Sequence, residues 1–161
     1  MKNLSGKKKR FWLLVCVAAA AAAMLLGGCG PKTKVKLDPD NPVTITIWHY
    51  YNGAQQTAFD SLVKEFNDTV GMKEGIFVKS TGKGDVNQLE ESVRSALKKE
   101  VGSDEAPDIF SSYADTAYEI QQMGYLADLS SYLTEDEISE YVDSYVEEGR
   151  IGKGSQLFIF P

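Results

Sequence analysis

Apolar and polar residues alternate from Val43, Ile45 and Ile47 set against Thr44 and Thr46, up to Trp48. A period of two in β-branched residues predicts a strand. His49, Tyr50, Tyr51 and Asn52 break the alternation with a polar, aromatic loop, and Asn52 with Gln55 has the spacing of a helix-capping box. Ala58, Phe59, Leu62, Val63 and Phe66 then fall on one helical face, and Gly71 is the expected terminator. Residues 76–80 (IFVKS) read as a second strand and 81–85 as a loop, in which Asp85 and Gln88 repeat the capping signature. The helix that follows is expected to bury Val86, Leu89, Val93, Ala96 and Leu97.

Residues 102–107 form a turn and 108–112 (DIFSS) a short third strand. Thr116 and Glu119 are spaced as a third capping box, and Gly124 marks the end of that helix. Residues 125–129 are expected to pack back on the core. Thr134 and Glu137 open a helix with an apolar face of Ile138, Tyr141, Val142, Tyr145 and Val146, and residues 157–160 (LFIF) read as a last strand apolar on both faces. The order βαβαβαα, then a strand, argues for an α/β fold with parallel pairing and right-handed crossovers. A chain that stops on such a strand is expected to be a fragment.

The amino-terminal pattern differs from all this. Lys7, Lys8, Lys9 and Arg10 precede an apolar run over 11–26 that closes on Leu26-Gly27-Gly28-Cys29. A basic head and a short apolar run are an export signal, and the closing four residues resemble the bacterial lipoprotein box, which implies acylation of Cys29. The expected organisation is a lipoprotein signal peptide over 1–28, a proline-containing tether over 29–42 and a domain over 43–161. Cys16 would leave with the signal, so no internal disulfide is expected.

The whole chain of 161 residues has 17 basic and 23 acidic side chains, a net charge of −6. Five of the basic residues lie in the signal, so the remainder is more acidic still, near −11. Phosphate binding needs a basic face, and a nucleic-acid partner is disfavoured. The 43% apolar content is enough for a core of one domain.

In a parallel sheet the three strand-to-helix junctions lie along one edge, where helix amino termini offer free N–H groups to ligand oxygens. Tyr50, Tyr51 and Tyr113 could give flat faces and hydroxyls to a sugar. Asn52, Asp85 and Asp115 could meet hydroxyl groups, and Lys83 an anion. Trp48 reads as core and the single histidine, His49, as structural or at the loop edge. Gly82-Lys83-Gly84 lacks the spacing of a phosphate-binding P-loop. There is no zinc or calcium pattern, no cofactor motif, and no assembled nucleophile, base and oxyanion hole.

The lipobox and tether, the runs TITIWHYYNG, DSLVKEFND, VKSTGKGD, EAPDIFSSYAD and GYLADLSSYL, and their order together resemble the extracellular solute-binding lipoproteins of bacterial ABC importers, carbohydrate type. The resemblance implies a parallel-sheet α/β lobe of a two-lobed, type II periplasmic-binding-protein-like fold, incomplete in this chain. It implies a lipid-anchored receptor on the outer face of the cell membrane. Such a receptor takes a sugar, an oligosaccharide or a glycerophosphoryl compound and delivers it to ABC permease subunits, without enzymatic activity. By position, Tyr50, Tyr51, Asn52, Lys83, Asp85, Tyr113 and Asp115 would line its half of the cleft. The competing readings are a structural or adhesive surface lipoprotein and a cell-surface hydrolase.

Overall fold

The computed structural model describes residues 36–151, 154 and 156–160. The expected signal peptide, Cys29 and residues 30–35 of the tether lie outside the described residues. All the elements below belong to the compact unit that begins at Leu37.

Strand β1 (Val43–His49) is the centre of a three-stranded parallel sheet of order β2-β1-β3. Strand β2 (Ile76–Gly82) runs beside it over its full length, from Val43 against Ile76 to His49 against Gly82. Strand β3 (Ile109–Phe110) pairs on the other side, Ile47 with Ile109 and Trp48 with Phe110. The α/β class and the parallel pairing expected from the sequence are present, with β2 two residues longer and β3 three residues shorter than the pattern suggests. At the amino end of β3, the Asp108 carboxylate accepts the backbone N–H and the hydroxyl of Thr46, both at 2.8 Å, so its side chain takes the Thr46 donor while its own N–H bonds the Thr46 carbonyl.

Alternation sends successive β1 side chains to opposite faces. On one face Trp48 packs with Leu89, Val93 and Ala96 of helix α3 (Val86–Leu97) and Ile120 of helix α4 (Ala114–Gln122). Leu97, Phe110, Leu126 and Tyr50 close this cluster from its margins. On the other face His49 meets Phe59 of helix α1 (Gly53–Phe66). No residue of α1 is fully buried: Phe59, Val63 and Phe66 are half-buried, whereas Ala58 and Leu62 of its expected core face are exposed.

Gly71 does not end this helix. The chain continues through a π-helical turn (Asn67–Gly71) and a short helix α2 (Met72–Glu74), and stops at Gly75, which takes the left-handed φ of 73°. The widened turn aims Asn67 at β2, where its amide both donates to the Val78 carbonyl and accepts the Val78 N–H at 2.8 Å. That side chain satisfies the outward backbone groups of an edge strand. Gly75 leads the chain toward the last part of the expected tether. There Asn41 N–H closes a turn on the Asp38 carbonyl, and Val43 N–H bonds the Gly75 carbonyl.

The capping boxes at Asp85–Gln88 and Thr134–Glu137 form as expected. Those at Asn52 and Thr116 do not. Asn52 precedes α1 without a side-chain cap bond, because Gly53 at φ 54° turns the chain away from capping geometry. Helix α4 begins earlier, after Tyr113, so Thr116 and Glu119 sit inside it and bond Arg94 of α3.

Two corrections concern the last part of the chain. The single helix expected after Thr134 is two short ones, α5 (Glu135–Ser139) and α6 (Asp143–Glu148), and of its apolar face only Val146 is buried. Tyr141 lies between them and packs edge-on against Phe160. Residues 157–160 are not a strand. Leu157 is fully buried and its carbonyl accepts Leu129 N–H, while Phe158 and Ile159 donate to Gly149, so turns and helix ends take their backbone bonds.

Candidate functional site

The carboxyl ends of β1, β2 and β3 open on one edge, and backbone bonds hold their loops together there. Lys83 N–H donates to the His49 carbonyl at 2.8 Å, and Ser111 N–H to the Trp48 carbonyl at 2.9 Å. With β1 central, its loop is flanked by the loop after β2 on one side and the loop after β3 on the other.

Three of the seven expected residues touch one another. The Tyr50 and Tyr113 rings stack at 6.4 Å with an interplanar angle of 24°, and Tyr51 tilts against Tyr50 at 5.5 Å. Tyr113 is more than half exposed, whereas Tyr50 leans on the Trp48 core. Burial first, then the neighbouring phenols of Tyr113 and Tyr51, push the Tyr50 hydroxyl up from its ordinary value. Tyr50 therefore stays protonated at neutral pH and can donate as well as accept.

Asn52 is exposed beside the tyrosines, its side chain uncommitted to the α1 cap. Asp85 and Asp115 stand at the starts of α3 and α4, one on each flank. Asp85 accepts Gln88 N–H at 2.9 Å, and Asp115 accepts Thr116 N–H at 2.8 Å. Each is exposed, and neither shares a hydrogen bond with the tyrosines.

Lys83 is placed differently from the solvated loop lysine that its setting suggests. Its ammonium lies 3.8 Å above the Trp48 ring and 2.6 Å from the Asp104 carboxylate. The Asp104 carboxyl is held below its usual range by the hydrogen bond from Lys83 and then by the Lys83 charge. The lysine pins the 102–104 turn to the core rather than standing alone at the rim.

Two surface depressions are present, the first at the far end of the sheet and the second beside the partners of Lys83. One, of about 250 Å³, is bordered by Pro39, Pro42, Met72 and Phe77, and the other, of about 230 Å³, by Trp48, Ser92, Ser95 and Asp104. Among the described residues no three His, Cys, Asp or Glu side chains are grouped to hold a metal.

Solved structures share this arrangement of sheet, helices and loops. The cyclic α-maltosyl-1,6-maltose binding protein of Arthrobacter globiformis superposes with a TM-score of 0.58 at 24% identity, over 71% of this chain and 27% of that one. This chain has part of one lobe of the solute-binding-protein fold. A family 1 extracellular solute-binding protein of Alicyclobacillus acidocaldarius gives a TM-score of 0.58 at 20% identity, over 71% of this chain and 27% of that one. The maltotriose binding protein of Thermus thermophilus, bound with maltotriose, gives 0.55 at 18%, over 71% and 28%. No protein-family model and no curated protein sequence matches the chain. These neighbours are two-lobed, and the chain spans little more than a quarter of their length.

Within the solute-binding-protein fold, sequence reasoning overlooked three groups that shape the rim. Phe59 packs edge-on against Tyr51 at 5.2 Å, Asp104 captures Lys83, and Asp108 anchors β3 to β1. The signal for Asp108 was present in the Ala-Pro-Asp-Ile run. Asp104, 21 residues from Lys83, had none.

Proposed function

We propose that this chain forms one wall of a cleft that captures a sugar or oligosaccharide outside the membrane. The stacked pair Tyr50 and Tyr113, at the carboxyl edge of parallel strands, carries the reading. Phenol faces suit the C–H faces of a pyranose, and their hydroxyls suit its oxygens. Asn52, Asp85 and Asp115 border the pair with acceptors for sugar hydroxyls. Two of the neighbouring structures are named for maltose-type oligosaccharides, in agreement with this reading. With the Lys83 ammonium engaged by Trp48 and Asp104, a neutral solute is favoured over a glycerophosphoryl compound.

A ¹⁵N-labelled chain titrated with maltotriose tests the reading. The amides of Tyr50, Tyr51 and Tyr113 are expected to move together with a millimolar midpoint, because one wall supplies only part of a closed cleft's contacts. Tyr50→Ala and Tyr113→Ala should each weaken the response by about three- to tenfold, the scale of one stacking contact. Glycerol 3-phosphate should leave these amides in place. Shifts scattered over unrelated surfaces, or centred on Lys83 with the phosphate alone, would reject the neutral-sugar assignment.

The receptor reading extends to delivery of the solute to an ABC permease and to a lipid on Cys29 that holds the protein on the outer face of the cell membrane. Each buried acyl methylene contributes about 0.8 kcal/mol, so more than one chain is needed for stable attachment. Cys29→Ser is expected to move the protein from the membrane fraction to the soluble fraction. Retention of the variant in the membrane would point to an uncleaved helical anchor instead.

A further inference from the structure

His49 is the only histidine of the chain and is fully buried where β1 ends. Its Nδ1 accepts the Tyr51 N–H at 3.2 Å, and its carbonyl accepts the Lys83 N–H. The imidazole stacks on the Tyr51 ring at 5.1 Å and 19°, and Phe59 meets it edge-on at 5.1 Å. Phe59 also meets Tyr51 edge-on at 5.2 Å, so the three rings support one another. An accepting Nδ1 fixes the neutral tautomer with its proton on Nε2. That Nε2 is buried with no hydrogen-bond partner among the described residues.

We propose that His49 is the positioning residue of the tyrosine rim: as the neutral, Nε2-protonated imidazole it sets both the backbone and the ring of Tyr51, and a proton gained at Nδ1 releases them. The consequence for solute capture rests on the sugar-binding reading of the rim. The hydrogen-bond logic does not.

A second proton would make Nδ1 a donor facing the Tyr51 donor, and the bond between them would be lost. It would also place a cation in a buried site. Burial pulls the imidazole below its ordinary value, and the Asp60 carboxylate of α1 opposes that pull. Asp60 also accepts the Ser80 hydroxyl at 3.1 Å. The Tyr51 phenol is the other titratable group in ring contact, Gly82 lies beside the imidazole from β2, and the Lys83 ammonium is turned to the Trp48 face. Since the folded state disfavours the charged form, the unfolded chain binds more protons between the lowered value and the ordinary value of about 6.5. The His49 contribution to stability is therefore complete above that ordinary value and declines as pH falls below it, whereas rim order in the folded protein is lost only as pH falls through the lowered value of the buried imidazole.

The test follows the imidazole nitrogens and the Tyr51 amide of the full chain by ¹⁵N NMR as pH is lowered from neutral. The Nε2–H tautomer is expected at neutral pH, and the Tyr51 amide should shift with the same midpoint as the imidazole. His49→Asn places an amide oxygen near the position of Nδ1. It should keep Tyr51 protected and remove the pH response, whereas His49→Leu should raise Tyr51 amide exchange about five- to tenfold, the equivalent of one ordinary hydrogen bond. A Nδ1–H tautomer, a Tyr51 amide indifferent to the imidazole titration, or equal Tyr51 exchange in the Asn and Leu variants would overturn the assignment. The wild-type titration decides the matter even if the Leu variant does not fold. Maltotriose added to the wild type separates the two readings: if it moves nothing while Tyr51 still follows His49, solute capture is rejected and the positioning role stands.

Discussion

Trp48→Ala is expected to reduce the stability of the chain by about 3–5 kcal/mol, the range for removing a large aromatic side chain from a core. Trp48 is 5% exposed, and its ring bears on Leu89, Val93 and Ile120, each at 1% or less. Domains of this kind are stable by about 5–15 kcal/mol in total, so this one side chain accounts for a large share. The ring also seats the Lys83 ammonium, and Lys83 in turn holds Asp104. Urea unfolding followed by circular dichroism measures the loss. Trp48→Phe retains a ring and should give a smaller deficit. Lys83→Met should lose about 0.5–2 kcal/mol, the worth of the cation over the ring. A Trp48→Ala midpoint that corresponds to less than about 1 kcal/mol would mean that the cluster around α3 and α4 does not hold the sheet.

The three strands and their parallel pairing were legible because alternation and β-branching act within a few residues. The sheet order β2-β1-β3 and the β1–β2 register, set by contacts distant in sequence, were not read from the sequence. Helix starts were legible only in part. Asp85–Gln88 and Asn52–Gln55 carry the same local signature, yet only the first forms a box. The difference lies in Gly53, whose left-handed φ directs the chain from Asn52 into α1. Thr116 and Glu119 carry the signature too, but Arg94, more than twenty residues earlier, takes both side chains.

The rim shows the same division between local and distant causes. Tyr50, Tyr51 and Tyr113 were visible as aromatic residues at strand-to-helix junctions, and the sheet order brings them into contact. Lys83 could not be placed from its own neighbourhood, since Trp48 and Asp104 reach it through the fold. Residues 157–160 mislead for a related reason. Their apolar run has the composition of a buried strand, but the backbone finds Leu129 and Gly149 rather than the edge of β3.

Gly75→Ala is expected to cost about 2–5 kcal/mol, and Gly102→Ala only about 1–2. Both glycines have left-handed φ, 73° and 88°, so alanine meets backbone strain of about 1–2 kcal/mol at either site. They differ in what a methyl group would touch. At Gly102 an added Cβ would meet no atom of the described residues within 4 Å apart from its chain neighbours, whereas at Gly75 the Asp38 carbonyl oxygen would be 2.3 Å away. That oxygen belongs to backbone and closes the turn with Asn41, so it can move only if residues 38–42 move with it. The added overpacking is of the order of 1–3 kcal/mol. Because Gly75 also accepts the Val43 N–H, the damage should reach the first residue of β1, and Val43 amide exchange should rise in Gly75→Ala but not in Gly102→Ala. Equal losses in the two variants would mean that the turn before β1 is not packed on the helix end. The rim lies at the opposite end of β1, so a local defect leaves Tyr51 amide exchange at its wild-type rate, whereas a defect transmitted along the strand raises both.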